Sequence, residues 1–271
     1  MIEFQQVDYT LPQIVAKTGI THPNPHPYSD ISCLIVAWNE EERIGKLMEL
    51  LKEYFERFVV CVQESQDATL DIARSIANRE HDIVLEDRHR GVGDASFPEM
   101  VSNTKTEWCF VISCDEWPSY EVLGSMSSAI ALAELSPETN EAVWFLFQSS
   151  IEKIELTEQN AHLRLFRRSV GWPNTMHSRP MTNRGVLWPY GVIHHDRSLD
   201  EFVQDYLRYY EIGRGHSAWE THNLMMMRSA CQAVSRHYGW DYVHRYPWWP
   251  EVQGLAFKDE EFTNGSEKED Y

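Results

Sequence analysis

The sequence predicts an α/β fold in which a mostly parallel sheet is flanked by helices. From residue 31 onward, apolar segments of strand length alternate with amphipathic segments of helix length. Two acidic residues, Asp115 and Glu116, directly follow the fourth of these strands. Because ligands bind at the carboxyl ends of strands in open α/β sheets, this strand end is the leading candidate for a functional site.

The first half of the chain predicts repeated strand and helix units. The expected strands are ISCLIVA, RFVVCVQ, DIVLED and EWCFVIS, and the expected helices are EERIGKLMELLKEYF, LDIARSIAN and a short segment from about Phe97. Asp67 or Thr69 can cap the second helix. A parallel sheet with right-handed crossovers is the simplest topology for this order of elements.

The second half adds antiparallel strands and then helices. Ser119 is placed to cap a helix over residues 120–134, which the strands EAVWFLFQSS and AHLRLFRR follow. Helical patterns then begin at Asp200 and near residue 216, where the methionines 225–227 are expected to fill core gaps. The predicted organisation is a lead-in (1–30), the α/β domain (31–212), a helical and aromatic extension (213–258) and a disordered acidic tail (259–271).

Composition excludes several classes of protein. No run of apolar residues is long enough to span a bilayer, and the amino terminus lacks both a basic start and an apolar stretch, so we expect a cytosolic protein without a transmembrane segment. The five cysteines show no disulfide or zinc spacing, and Cys33, Cys61 and Cys109 lie in strand-like runs, where reduced cysteine behaves as a buried apolar residue.

The formal net charge of −18 opposes nonspecific attraction to nucleic acid or to an anionic membrane surface. Local basic patches are still conceivable around two groups of arginines, Arg88 with Arg90 and Arg164 with Arg167 and Arg168. Separate solvated arginines are the simpler interpretation of both groups.

Asp115 and Glu116 have two interpretations. Carboxylates at a strand end can reach a divalent cation, a sugar hydroxyl or a metal bound to phosphate. Alternatively, both acids solvate a loop that leads into the helix capped by Ser119.

Several motifs, taken in order, carry a family resemblance. LIVAWNEEERIGKL contains Asn39, Glu40 and Glu41 after the first strand, ESQDATLDIA follows the second strand, and ISCDEWPS ends the fourth. Weaker similarities are RLFRR, the region of Trp172 and His177, the sequence IHH at residues 193–195, and the pair Arg208-Tyr209. Over residues 31–212 the chain resembles family 2 glycosyltransferases of the GT-A fold, and most closely the cytosolic sugar transferases of the lipopolysaccharide-core type.

This resemblance implies a Rossmann-like GT-A domain with a helical C-terminal extension. It also implies transfer of a sugar, with inversion, from a nucleotide sugar such as a UDP-sugar to a carbohydrate, lipid-linked or other hydroxyl acceptor. The expected cation is Mn²⁺ or Mg²⁺, held by Asp115 and completed by His194 or His195, although a purely structural role for these histidines is equally open.

The resemblance further assigns nucleotide and base positions. The expected cofactor-binding residues line the first strand end, the loop after the second strand, the loop before the fourth strand and the fourth strand end: Ala37, Asn39, Glu40, Ser65, Asp67, Arg88, Arg90 and Ser113. The candidates for the general base that accepts the hydroxyl proton are Asp94, Glu116 and His177. Trp240, Tyr246, Trp248 and Trp249 either form a platform for a sugar or base or pin the terminal segment to the core.

The chain departs from the family pattern at four positions and so leaves other functions open. Ser113 replaces the first aspartate of the acidic triplet, a loss for which Glu116 can compensate. Val62 replaces an acid at the end of the second strand, and Glu64 and Ala68 replace glycines. One alternative is a noncatalytic module that binds nucleotides or glycans. Another is an enzyme that glycosylates a hydroxylated base in nucleic acid, which requires a local basic groove.

Overall fold

A computed structural model describes residues 27–87, 96–136, 140–155, 160–172, 180–182, 184–212 and 217–257. The described residues form two compact units. The first unit contains the described residues within Met1–Gln148 and Glu158–His195. The second unit contains the described residues within Ser149–Thr157 and Asp196–Tyr271. The division between the two units follows residue 195, and the turn around residue 152 joins the second unit. The predicted domain division at residue 212 remains a prediction.

The secondary structure alternates between strands and helices in the first half of the chain. The strands are β1 (Tyr28–Ala37), β2 (Phe55–Gln63), β3 (Ile83–Asp87), β4 (Trp108–Ser113), β5 (Glu116–Pro118), β6 (Ala142–Ile151), β7 (Ile154–Glu155), β8 (Asn160–Arg167) and β9 (Val186–Arg197). The helices are α1 (Ile44–Leu51), α2 (Thr69–Ile76), α3 (Phe97–Asn103), α4 (Tyr120–Gly124), α5 (Met126–Glu134), α6 (Leu199–Ile212), α7 (Ser217–Tyr238), α8 (Trp240–His244) and α9 (Trp249–Ala256).

The sheet has the order β3-β2-β1-β4-β8-β6-β9-β5. Its first four strands are parallel, with β1 between β2 and β4. Beyond β4, the pairings of β4 with β8, of β8 with β6 and of β9 with β5 are antiparallel. The predicted α/β fold with flanking helices is confirmed, as is the expectation that the later strands are antiparallel. The sequence analysis did not predict β5, β7 or β9.

Side chains on both faces of the parallel strands are buried. On one face, Ile35 of β1 packs in a core with Leu47 and Leu51 of α1. On the other, Leu34 packs in a second core with Met100 of α3. Alternate residues of a strand point to opposite faces, so the continuous apolar run of β1 is required by burial on both sides. All five cysteines are buried and unpaired, which confirms their interpretation as apolar residues.

The region predicted as one helix over 120–134 is divided at Ser125. Ser119 caps α4 by accepting a hydrogen bond from the Val122 N–H, as the sequence predicted. Ser125 lies between α4 and α5, where its hydroxyl donates to the Glu121 carbonyl and accepts from Trp188 Nε1 at 2.8 Å. A serine that bonds back to the preceding turn bends a helix, which accounts for the break.

The second unit has a separate apolar core built from α6, α7, α8 and α9. Trp248 and Trp249 are buried in it, and Trp248 Nε1 donates to Asp200 Oδ1 at 2.6 Å, so these aromatics pin the segment rather than form an open platform. Met227 fills the core as predicted, but Met225 is 62% exposed. Within the described ranges, no helix is long and apolar enough to cross a membrane.

Gly191 allows β9 to approach the start of α4 closely. It has a φ of 82°, and a Cβ placed there would lie 2.7 Å from both Ser119 Oγ and the Val122 nitrogen. At this point the Ser119 N–H donates to the Val192 carbonyl at 2.9 Å, and Ser119 Oγ accepts from the Val192 N–H at 3.2 Å. Only glycine satisfies both the backbone angle and the contact distance.

We expect Gly191→Ala to lower the free energy of unfolding by about 2 kcal/mol or more, because it combines left-handed strain with a backbone clash. Urea denaturation measures the change. Gly45→Ala is the matched control, since Gly45 lies inside α1 with only ordinary contacts around its absent Cβ and should gain stability from helix propensity. Equal stability of the two variants would contradict this account of Gly191.

Candidate active site

The carboxyl ends of β1, β2 and β4 meet at one edge of the sheet. Their parallel register places Ala37 beside Val62 and Val36 beside Ser113. The loops that leave this edge carry the predicted site residues Asn39, Glu40, Ser65, Asp67 and Asp115, and the strand ends carry Ala37 and Ser113. Ala37 and Ser113 are thus close neighbours across β1 and β4, as the prediction requires.

The loops after β1 and β2 are tied together by hydrogen bonds between backbone and side chains. The Asn39 N–H donates to Ser65 Oγ at 2.9 Å, and the Gln66 N–H donates to Asn39 Oδ1 at 2.9 Å. The Glu40 N–H donates to Thr69 Oγ1 at 2.7 Å. The predicted nucleotide-binding residues Asn39, Glu40 and Ser65 therefore lie together, and Ser65 and Asn39 also set the shape of the loops.

Asp67 completes this tie. Its carboxylate accepts from the Glu41 N–H at 3.1 Å and from the Thr69 N–H at 3.0 Å, so it does not act as the simple helix cap that the sequence predicted. Burial acts to raise the pKa of Asp67, but hydrogen bonds from Thr69 and Glu41 outweigh it, so the pKa lies below its ordinary value. Asp67 is consequently an anion that anchors the loop after β2.

Two residues at this edge have left-handed backbone conformations. Asn39 has a φ of 55° and Glu64 a φ of 34°. Asparagine tolerates this region better than most residues, whereas glutamate does not. The sequence analysis had placed Glu64 where the resembling family carries glycine, and the backbone angle gives a physical reason for glycine at that position.

Asp115 lies beside His195 at the end of β4. The distance from Asp115 Oδ2 to His195 Nε2 is 2.8 Å. The pairing of β5 with β9 sets this contact, because it places Glu116 opposite His195 and Trp117 opposite His194. His194 is exposed and, by the alternation of side chains along β9, points to the opposite face from His195. Of the two histidines predicted for the site, the structure brings His195 to Asp115.

Glu116 has a different environment from the one the sequence suggested. Its side chain is buried, one carboxylate oxygen accepts from Arg164 Nη2 at 2.5 Å, and the other accepts from the Ser113 N–H at 3.1 Å. A hidden carboxylate that already binds two donors is poorly placed to take a proton from an acceptor hydroxyl. The geometry argues against Glu116 as the general base and favours a role in holding the turn that carries Asp115.

Three further side chains surround this turn. The ring of His162 stacks on Phe147 at a centroid distance of 4.1 Å, and the Arg164 guanidinium lies 5.2 Å from the same ring. Phe147 also lies 5.4 Å from the ring of His195. We call this group the Asp115 cluster, and its members are Asp115, Glu116, Phe147, His162, Arg164 and His195.

The sequence analysis missed His162 and Phe147 as site residues and treated Arg164 only as part of a possible basic patch. The available signal was AHLRLFRR, in which His162 and Arg164 stand two residues apart in an otherwise apolar strand. Such spacing puts both side chains on one face of a strand. Arg167 pairs with Glu107 and Glu134, and Arg168 Nη1 donates to the Thr104 carbonyl, so these arginines have separate partners rather than forming a shared patch.

Four predicted site residues lie outside the described residues: Asp94, His177, Arg88 and Arg90. Their assignments to the general base and to the diphosphate remain predictions from the resemblance.

The Asp115 cluster can supply two metal ligands. In the part of the chain that the structure describes, no group of three or more histidine, cysteine, aspartate or glutamate residues is arranged to hold a metal ion. Adjacent ligands around an octahedral Mg²⁺, with bonds of about 2.1 Å, lie about 3 Å apart, close to the observed Asp115–His195 distance. The pair therefore fits a cation that takes its remaining ligands from water and a diphosphate, and does not fit an all-protein cage.

Comparison with known families gives the class of this chain. Residues 32–136, from β1 through α5, match the family described as glycosyl transferase family 2. The match falls within the range over which the motifs predicted this resemblance, and it covers about two fifths of the chain. No curated protein sequence matches the chain.

Three solved structures illustrate the similarity in coordinates. A mannosyltransferase, PcManGT from Pyrobaculum calidifontis, in complex with GDP-Man and Mn²⁺, is 14% identical, with 87% of each chain covered and a TM-score of 0.49. S. aureus TarS 1-349 in complex with UDP is 15% identical over 84% of this chain and 80% of that chain, with a TM-score of 0.45. Glucosyl-3-phosphoglycerate synthase from Mycobacterium tuberculosis, in complex with phosphoglyceric acid, is 14% identical over 74% and 82%, with a TM-score of 0.43.

We expect Arg164→Met to lower the free energy of unfolding by about 3 to 5 kcal/mol, because it leaves the buried Glu116 carboxylate without its cation. Chemical denaturation measures this loss. Arg184→Met is the matched control: the Arg184 ion pair with Glu141 is more exposed and should contribute less than about 1 kcal/mol. If both substitutions have the same small effect, Arg164 does not stabilise a buried charge.

His162 predicts a pH dependence of stability. Burial, followed by the charges of Arg164 and His195, lowers its pKa from the ordinary 6.5 to about 3. As pH falls below about 6.5, the unfolded state takes up a proton that the folded state does not, so stability decreases over this range. Urea denaturation at about pH 7 and pH 5.5 should show a smaller decrease for His162→Gln than for wild type. An equal decrease in both would contradict the predicted pKa.

Proposed function

We propose that this protein transfers a sugar from a nucleotide-sugar donor to a hydroxyl acceptor at the Asp115 cluster, with a divalent cation bound to the donor diphosphate. The observation that carries the proposal is the Asp115–His195 pair, held at 2.8 Å at the carboxyl edge of the parallel strands. The family match over residues 32–136 supports the same reaction class. When bound, Mn²⁺ or Mg²⁺ would stabilise the negative charge of the departing diphosphate.

The donor would occupy the edge formed by the loops after β1 and β2. The hydrogen bonds among Asn39, Ser65 and Asp67 fix the shape of these loops, and we assign them to the base and ribose. Ala37 would form the floor of this slot because it is buried at the end of β1. The base is proposed to be uracil on the strength of the resemblance alone.

The residues around Asp115 would hold Asp115 and His195 in position and would not exchange protons. Glu116 and Arg164 hold the turn, the β5–β9 pairing holds His195, and Phe147 covers the ring of His195 on one side. Because the lowered pKa of His162 keeps its ring neutral, His162 adds no second positive charge beside Arg164. We retain Asp94 and His177 as the proposed candidates for the general base, and inversion at the anomeric carbon as the proposed stereochemistry.

Asp115 is needed for this reaction because it would supply the anionic ligand to the cation. We expect Asp115→Asn to lower the Mn²⁺-dependent release of nucleoside diphosphate at least 100-fold, with thermal stability close to that of wild type. The assay uses UDP- and GDP-sugars with a panel of hydroxyl acceptors. Asp71→Asn on the surface of α2 is the control with the same chemical change and should retain full activity.

Two results would contradict the proposal. Full activity of Asp115→Asn would place the chemistry elsewhere. Binding of a nucleoside diphosphate by wild type, without turnover of any donor, would favour the noncatalytic module. For a nucleic acid acceptor, the described arginines Arg164, Arg167 and Arg168 offer little support, since each is engaged with its own partner.

A further inference from the structure

A small cavity lies at the opposite edge of the sheet from the Asp115 cluster. It is lined by Ser32 in the middle of β1, Arg57 near the start of β2, Ile83 at the start of β3 and Lys105 before β4. Ser32 pairs with Arg57 in the same parallel register that pairs Ala37 with Val62. Five steps along an extended strand cover about 17 Å, so the two edges are well separated.

The cavity is positively charged in an acidic protein. Arg57, His81 and Lys105 line it, and Glu80 is the one acidic residue in its lining. Among the described residues, none forms an ion pair with the side chains of Arg57, His81 or Lys105. The cations that line the cavity therefore have no carboxylate partner within the described part of the chain.

One wall of the cavity is the turn between α2 and β3, and it is fixed to β2. The Phe58 N–H donates to Asp82 Oδ1 at 3.0 Å, and the Arg79 N–H donates to Asp82 Oδ2 at 3.1 Å. Arg79 Nη1 also donates to the Phe55 carbonyl at 2.6 Å. These bonds hold the turn that presents His81.

The opposite wall is the segment between α3 and β4, and it is also fixed. Thr104 and Thr106 are buried on either side of Lys105. Arg168 Nη1 donates to the Thr104 carbonyl at 2.7 Å, and Thr106 Oγ1 donates to Ser32 Oγ at 2.8 Å. Lys105 is therefore carried by a segment whose backbone is anchored on both sides.

We propose that this cavity is a binding site for a phosphate oxyanion, either inorganic phosphate or the terminal group of a phosphate monoester. Arg57 and Lys105 supply charged donors from two strand ends. The ring of His81 supplies a third donor from the facing turn. Guanidinium and ammonium groups are well suited to phosphate oxygens. The cavity volume of about 70 Å³ accommodates one such group together with water, and is too small for a nucleotide.

Isothermal titration calorimetry of the full chain with inorganic phosphate at constant ionic strength tests this site. We expect saturable binding by wild type and an affinity about tenfold lower for both Lys105→Gln and Arg57→Gln, since each loses one charged donor. Lys46→Gln, an exposed substitution on α1 with the same charge change as Lys105→Gln, should bind as wild type does. Because Lys105 is exposed, its variant tests the site even if Arg57→Gln does not fold.

Asp115→Asn separates this site from the proposed diphosphate site, and it should leave phosphate binding unchanged. A second titration with methyl phosphate distinguishes the two sources of the anion: affinity at least equal to that for inorganic phosphate shows that the site accepts a monoester, and loss of binding shows that it takes free phosphate. Absence of saturable binding in wild type would overturn the proposal. Wild-type affinity in Lys105→Gln would overturn it as well.

Discussion

The candidate site depends on the ion pair between the Glu116 carboxylate and Arg164. The carboxylate is buried, and it joins Arg164 of β8 to the backbone of Ser113 at the end of β4. Asp115 lies in the turn between Ser113 and Glu116. A buried ion pair that is shielded from water therefore sets its position. A buried pair of this kind is destabilising when broken, and the turn therefore has little freedom to take another conformation.

A second constraint comes from the antiparallel strands added to the parallel sheet. The parallel strands end at the edge where the loops after β1 and β2 meet, but they supply no histidine to Asp115. β9 returns along β5 and brings His195 there, and Gly191 permits its close contact with the start of α4. The candidate site is thus shared between the edge formed by the parallel strands and a strand that comes roughly eighty residues later in the chain.

The sequence predicted the strands and helices of the parallel half because each has a clear period and burial on both faces. It also singled out Asn39, Ser65, Asp67 and Asp115, which lie on loops that leave the same edge of the sheet, and their roles remain predictions. It did not predict the burial of Glu116 against Arg164, because an acid at a strand end has the same sequence whether it faces solvent or a buried arginine. Nor did it single out His162 and Phe147, since a residue's partners across antiparallel strands depend on register, which one sequence does not specify.

The interlocked loops after β1 and β2 have a consequence for ligand affinity. Their backbone amides bond to Ser65, Asp67 and Thr69, so protein groups alone fix the shape of the slot to which we assign the donor. A nucleotide sugar would then lose little free energy to ordering the protein around itself. Differences in affinity among donors should accordingly reflect how well each one fits a slot of fixed shape, and not the free energy needed to form the slot.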